Sequence, residues 1–134
     1  MTYRDDARPT KSRLVVAVNG EIAAIDRRSG EECWRAAIHG AGLGHVALLV
    51  SGGVVYAASE EELVICLDAE SGAKRWERAT VAYGRATLLV DGEDLFIARG
   101  SHLECLDRST GASRWAKTVR GMGKGAASLV LPED

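Results

Sequence analysis

The chain has 134 residues, and 46% of them are hydrophobic, which suits one domain with its own core rather than a disordered segment. With 17 basic and 19 acidic residues the net charge is -2, so there is no basic excess for binding nucleic acid. No apolar run is long enough to span a bilayer as a helix, and the three cysteines, Cys33, Cys66 and Cys105, form neither a paired framework nor a Cys-x-x-Cys motif.

In chain order, residues 1–12 are charged and lack the apolar stretch of a signal peptide. They read as a flexible polar arm, and the expected compartment is the cytoplasm. Residues 13–134 then read as one three-blade segment. LVVAVNG (14–20), EIAAID (21–26) and CWRAAI (33–38) are strand-like runs. After the glycine-rich HGAGLG (39–44) come HVALLVSGG (45–53), VVYAAS (54–59) and ELVICLD (62–68). RATLLVDGE (85–93), DLFIAR (94–99) and HLECLD (102–107) repeat that series, and GAASLVLPED (125–134) begins it again. Ser51-Gly52-Gly53 and Asp91-Gly92 are hairpin-turn signals. No segment sustains a helical period.

Three segments align: IDRRSGEECW (25–34), LDAESGAKRW (67–76) and LDRSTGASRW (106–115). Asp26, Asp68 and Asp107, Gly30, Gly72 and Gly111, and all three tryptophans, Trp34, Trp76 and Trp115, recur in step. A period near 40 with short strands predicts four-stranded propeller blades. Each Asp carboxylate is expected to accept backbone N–H groups in a turn, with the Ser or Thr hydroxyl doing the same. Each Gly is expected to supply a positive φ, and each Trp to pack on the neighbouring blade. A calcium loop fits poorly, because the alternating Asp and Asn ligands are missing.

The pattern resembles the pyrroloquinoline-quinone-like propeller repeat, Ala-x-Asp-x-x-x-Gly-x-x-x-Trp. The resemblance covers roughly residues 14–131, with Ala24, Cys66 and Cys105 at the small-residue position. The two cysteines read as buried thiols. The family includes quinoprotein alcohol dehydrogenases and non-enzymatic scaffolds. The dehydrogenases carry a vicinal cysteine pair and a metal-binding carboxylate cluster, neither of which is visible here. The resemblance therefore implies an all-β propeller fold but not redox chemistry.

Aligning the units gives strands B, C and D of blade 1 at 14–38, blade 2 at 45–80, blade 3 at 85–119, and a further strand A at 126–131. Blade 1 lacks strand A. Three blades would each have to subtend about 120°, more than sheet twist readily allows. The ring is therefore expected to close by oligomerisation, with Leu129, Val130 and Leu131 of one copy meeting Val15 and Val16 of another. Two copies give six blades, the favoured count, and three give nine.

The channel mouth is expected to carry His45 and Arg85, with Tyr83 and Lys124 one step outside and His39, Arg120, Asn19, Glu60, Glu61 and His102 on the same face. These side chains could hold an anion or an acidic peptide, or could simply be a solvated rim. The run Glu60-Glu61-Glu62 reads as a solvated hairpin tip. Gly121-Met122-Gly123-Lys124-Gly125 leads into a strand and lacks the spacing of a phosphate loop. No catalytic set, cofactor or metal site is read. The expected function is a non-catalytic homo-oligomeric scaffold for protein interaction, with a small-ligand or anion-binding module second and a quinone-dependent enzyme last.

Overall fold

The computed structural model describes residues 13–39, 44–123 and 125–132. The expected polar arm, residues 1–12, and Lys124 lie outside the described residues. Among the described residues, eleven strands form three antiparallel sheets. The first sheet holds β1 (Arg13–Val18), β2 (Glu21–Asp26) and β3 (Glu32–Ala37), in that order. The second holds β4 (Ala47–Ser51), β5 (Val54–Ala58), β6 (Leu63–Asp68) and β7 (Lys74–Ala79). The third holds β8 (Ala86–Asp91), β9 (Asp94–Arg99), β10 (His102–Asp107) and β11 (Ser113–Thr118). These are the expected blades, with a three-stranded first one. Residues 126–131, expected as a strand, join no ladder among the described residues. β5 and β9, counterparts of the strand that such a segment would pair with, are each already paired on both sides.

The repeated turn is built as its residues predict. Asp68 Oδ1 accepts the N–H groups of Glu70 and Ser71 at 2.9 and 3.0 Å, and Ser71 Oγ accepts that of Ala73 at 3.2 Å. Asp26 with Ser29 and Asp107 with Thr110 repeat the arrangement. Gly30, Gly72 and Gly111 take φ values of 80°, 79° and 81°. A register shift follows Ala24, Cys66 and Cys105, the residues paired with Trp34, Trp76 and Trp115. A small residue opposite each tryptophan leaves the ring room to lie flat against the next sheet.

Two apolar seams join the blades. Between the first and second sheets, Ile22, Ala24 and Trp34 meet Val55, Ile65 and Leu67. Between the second and third, Tyr56, Cys66 and Trp76 meet Leu95, Ile97 and Leu106. Trp34 donates its indole N–H to the Ala69 carbonyl at 2.9 Å, and Trp76 donates to that of Arg108 at 3.0 Å. The rings press on the turn glycines: a Cβ built on Gly72 would lie 2.6 Å from Trp34, and one on Gly111 would lie 2.6 Å from Trp76. Arg108 fastens the second seam further, donating to the Tyr56 hydroxyl at 2.9 Å and the Ser51 carbonyl at 3.1 Å. Cys66, in the second seam, and Cys105, on the Trp115 side of the third sheet, are buried free thiols, and burial pushes the Cys66 thiol up to about 11.

Two expectations follow. Trp76→Ala should cost about 3–5 kcal/mol of unfolding free energy in urea titration, because it empties the middle of a seam. A melting temperature within a degree or two of the parent would contradict that role. The second concerns acid. Arg75 and two backbone N–H groups hold the Asp68 carboxyl down at about 2, against an ordinary 3.8. Its charge therefore stabilises the fold fully above pH ~4, and this contribution drains away as pH falls toward about 2. Asp26 and Asp107 are lowered likewise, chiefly by the turn N–H groups. Thermal melts followed across that range should show a steeper loss for the parent than for Asp68→Asn.

Candidate functional site at the channel mouth

The hairpins β1–β2, β5–β6 and β9–β10 and the connections between blades gather at one end of the structure. The β5–β6 loop organises this end. Its residue Glu62 sits at φ 69°, a left-handed position for a side-chain-bearing residue, and its carbonyl accepts the Thr80 N–H at 2.7 Å. The Glu60 carbonyl accepts the Gly84 N–H at 3.0 Å, so this loop pins the connection leading to the third blade.

Glu60 is not the solvated tip residue that its acidic run predicts. Its Oε2 accepts the His45 backbone N–H at 3.2 Å and lies 3.7 Å from Nε of Arg85. The carboxylate thus ties together the starts of two blades. It also reaches Gly44, where a Cβ would come within 3.0 Å of Oε1.

Arg99, at the end of β9, is the residue that sequence reasoning missed. It is buried, and its guanidinium crosses the second seam. Nε donates to the Gly84 carbonyl at 3.2 Å, Nη2 to those of Ser59 and Leu63 at 2.7 and 3.3 Å, and Nη1 to the Thr80 hydroxyl. Burial lowers its pKa, while Glu104 and Glu62 oppose the shift. Glu104 stands where the second blade has Ile65, and its Oε1 is buried without a hydrogen-bond partner among the described residues. The signal for Arg99 lay in the alignment, since the repeat puts Ser59 at the same place.

Arg99 forms the back of a concavity of about 580 Å³ walled by Glu62, Val81, Tyr83, Arg85 and His102. Two predicted mouth residues, Tyr83 and Arg85, therefore meet there with His102. His45 is linked to Arg85 only through Glu60, and His39, exposed after β3, does not line the concavity. Tyr83 is largely exposed, and Glu62 beside it raises the phenol pKa by its charge and by a hydrogen bond. His102 Nδ1 lies 2.9 Å from the Thr118 hydroxyl. The wall offers both signs of charge, an aromatic ring and an aliphatic side chain. Among the described residues, no three His, Cys, Asp or Glu side chains are grouped to hold a metal ion.

The family model described as outer membrane protein assembly factor BamB matches residues 18–132. BamB from Moraxella catarrhalis superimposes with a TM-score of 0.68 at 29% identity, over 85% of this chain and 37% of that one. A quinohemoprotein alcohol dehydrogenase from Pseudomonas putida superimposes at 0.69 with 16% identity, over 80% of this chain and 19% of the enzyme. A europium-containing methanol dehydrogenase gives 0.68 at 15%, over 82% and 23% of the two chains. The chain thus spans well under half the length of each of these structures. No curated protein matches the sequence.

Arg99→Lys keeps the charge but not the fork that reaches four partners at once. Buried carbonyls would be left unsatisfied, and the variant should lose about 1–3 kcal/mol in denaturant unfolding. Retention of parental stability would show that the Arg99 bonds contribute nothing net.

Proposed function

The chain belongs to the family of the outer membrane protein assembly factor BamB, and from that premise we propose that it is a non-catalytic propeller module that binds other proteins. The observation that carries this reading is the composition of the mouth. Val81 and Tyr83 are large exposed apolar side chains on the connection that follows β7, with Arg85 in the same wall, and Met122, on the connection that follows β11, is exposed as well beside a neighbouring hollow. Aromatic, aliphatic and Met side chains with Arg at the margin are the chemistry of a protein–protein contact. An assembly factor, as the name of the family says, acts on proteins.

The module works as a homo-oligomer in this reading, two copies completing six blades and three completing nine. Support comes from β1, whose residues Leu14, Val16 and Val18 face outward from the first sheet. β1 is also the end strand of its sheet, and a row of apolar side chains on an end strand favours pairing with another chain.

A small-ligand site is the second reading, and the 580 Å³ concavity has the size for one. Glu62 in its wall opposes a simple anion. Quinone chemistry stands third, supported only by the fold of the dehydrogenases.

A photo-crosslinking residue at Val81 should trap a discrete protein in cells that make the chain, and Tyr83→Asp should abolish that product. The same residue at Glu70, on the opposite rim, should trap none. Equal capture at both ends, or none at Val81, would remove the support for a protein-binding mouth. Alcohol-dependent dye reduction with added quinone and calcium should stay at the quinone-only level.

A further inference from the structure

The contact between tryptophan and turn glycine is made twice among the described residues, and one tryptophan and one glycine are left over. Trp34 caps the turn at Gly72, and Trp76 caps the turn at Gly111. The third tryptophan and the first glycine have no such partner among the described residues. Trp115 is 45% exposed, against 9% for each of the other two. A Cβ on Gly30 would meet nothing within 4 Å, although its turn has the same φ and the same Asp bonds. The carbonyls that receive the indoles belong to Ala69 and Arg108, each one residue past the turn Asp. The matching carbonyl in the first blade is that of Arg27.

The flanking faces match in the same way. The ladders place Leu14 and Val16 of β1 where β9 has Leu95 and Ile97. Leu95 and Ile97 are buried at 0% and 2% against the Trp76 face, while Leu14 and Val16 are exposed at 61% and 43%. The opposite, Trp115 face of the third blade is lined by Leu89, Phe96 and Leu103, and a hollow of about 110 Å³ opens there beside Leu129 and Leu131.

The segment 126–131 already stands where an inner strand belongs. The Thr87 hydroxyl of β8 donates to the Ala127 carbonyl at 2.7 Å, which holds the segment beside β8 much as β8 lies beside β4. Among the described residues it joins no sheet, and the sheet β1-β2-β3 has no fourth strand beside β1.

We infer that one blade is shared between two copies of this chain, Trp115 of one copy capping the Gly30 turn of the next while residues 126–131 pair with β1. This rests on the homo-oligomer reading above and names its contacts. The Trp115 indole N–H donates to the Arg27 carbonyl of the second copy. The β8–β9 ladder, in which Leu88 faces Ile97 and Val90 faces Leu95, fixes the register: Leu129 faces Val16, and Leu131 faces Leu14. Leu14 and Val16 enter the seam against Phe96 and Leu103.

The test combines mass and register. Light scattering of the full chain over a range of concentrations should give twice the 14.3 kDa chain mass, or three times it. Trp115→Ala and Gly30→Ala should each raise the dissociation constant about tenfold or more, with the circular dichroism of each blade sheet kept. Gly53→Ala, a left-handed position also in open space, should leave the constant unchanged. In a Cys33→Ser background, Val16→Cys with Leu129→Cys should form interchain disulfides under mild oxidation. Val15→Cys with Leu129→Cys should not, because the two side chains leave opposite faces of the sheet. A mass of 14.3 kDa at every concentration would overturn the homo-oligomer reading and this seam with it. An oligomer indifferent to Trp115→Ala and Gly30→Ala, with no Val16–Leu129 cross-link, would overturn the seam alone.

Discussion

A tryptophan ring lying on a glycine of the next sheet is the contact on which the rest of this structure depends. It places several demands on neighbouring residues at once. The residue across the ladder must be small, and it is Ala24, Cys66 or Cys105. The receiving turn must expose a bare backbone, since a Cβ on Gly72 or Gly111 would sit inside the ring. The same glycine must also take a left-handed φ, which the turn requires whatever packs on it. An Asp carboxylate holds the turn closed so that its first carbonyl points at the indole N–H. The second repeat is thus a receiver on one side and a donor on the other, and stability accumulates from one neighbour to the next, as in other repeat proteins.

That design makes the seams alike and leaves the loops free to differ. The mouth shows the difference. Glu60 ties His45 to Arg85, and Arg99 sends its guanidinium across the second seam to four partners, yet the first seam has Ser59 at the equivalent place. A charged fork is worth burying only where carbonyls converge to meet it, and the β5–β6 hairpin, through Ser59 and Leu63, supplies that convergence together with Gly84. Rigid blades with variable ends also explain how dehydrogenases at about 15% identity share the scaffold. Likeness at that level follows the seams, and activity follows the ends.

The cysteines and the buried charges show how position overrides residue type. Cys66 and Cys105 are small core residues with thiols raised by burial, while Cys33 is exposed on β3. Glu104 occupies an apolar register position and acts by its charge on Arg99 of the neighbouring strand in the same sheet. The cost of an unpaired carboxylate oxygen is tolerable there because a buried cation stands near it.

The blades were legible in the sequence because the Asp, Gly and Trp of each repeat are local demands: a turn closes through hydrogen bonds two and three residues away, and a hairpin forms between adjacent runs. Those contacts are written within ten residues of one another. That Tyr83 and Arg85 lie together was legible for the same reason, since the repeat dictates which connection they occupy. Arg99, the bridging part of Glu60 and the exposure of Trp115 were decided by tertiary structure. Each depends on what a different blade places opposite, at separations of 15 to 40 residues or across an open face. A repeat specifies its own turn and strand; which neighbour is there to receive its side chains is settled only when the sheets stack.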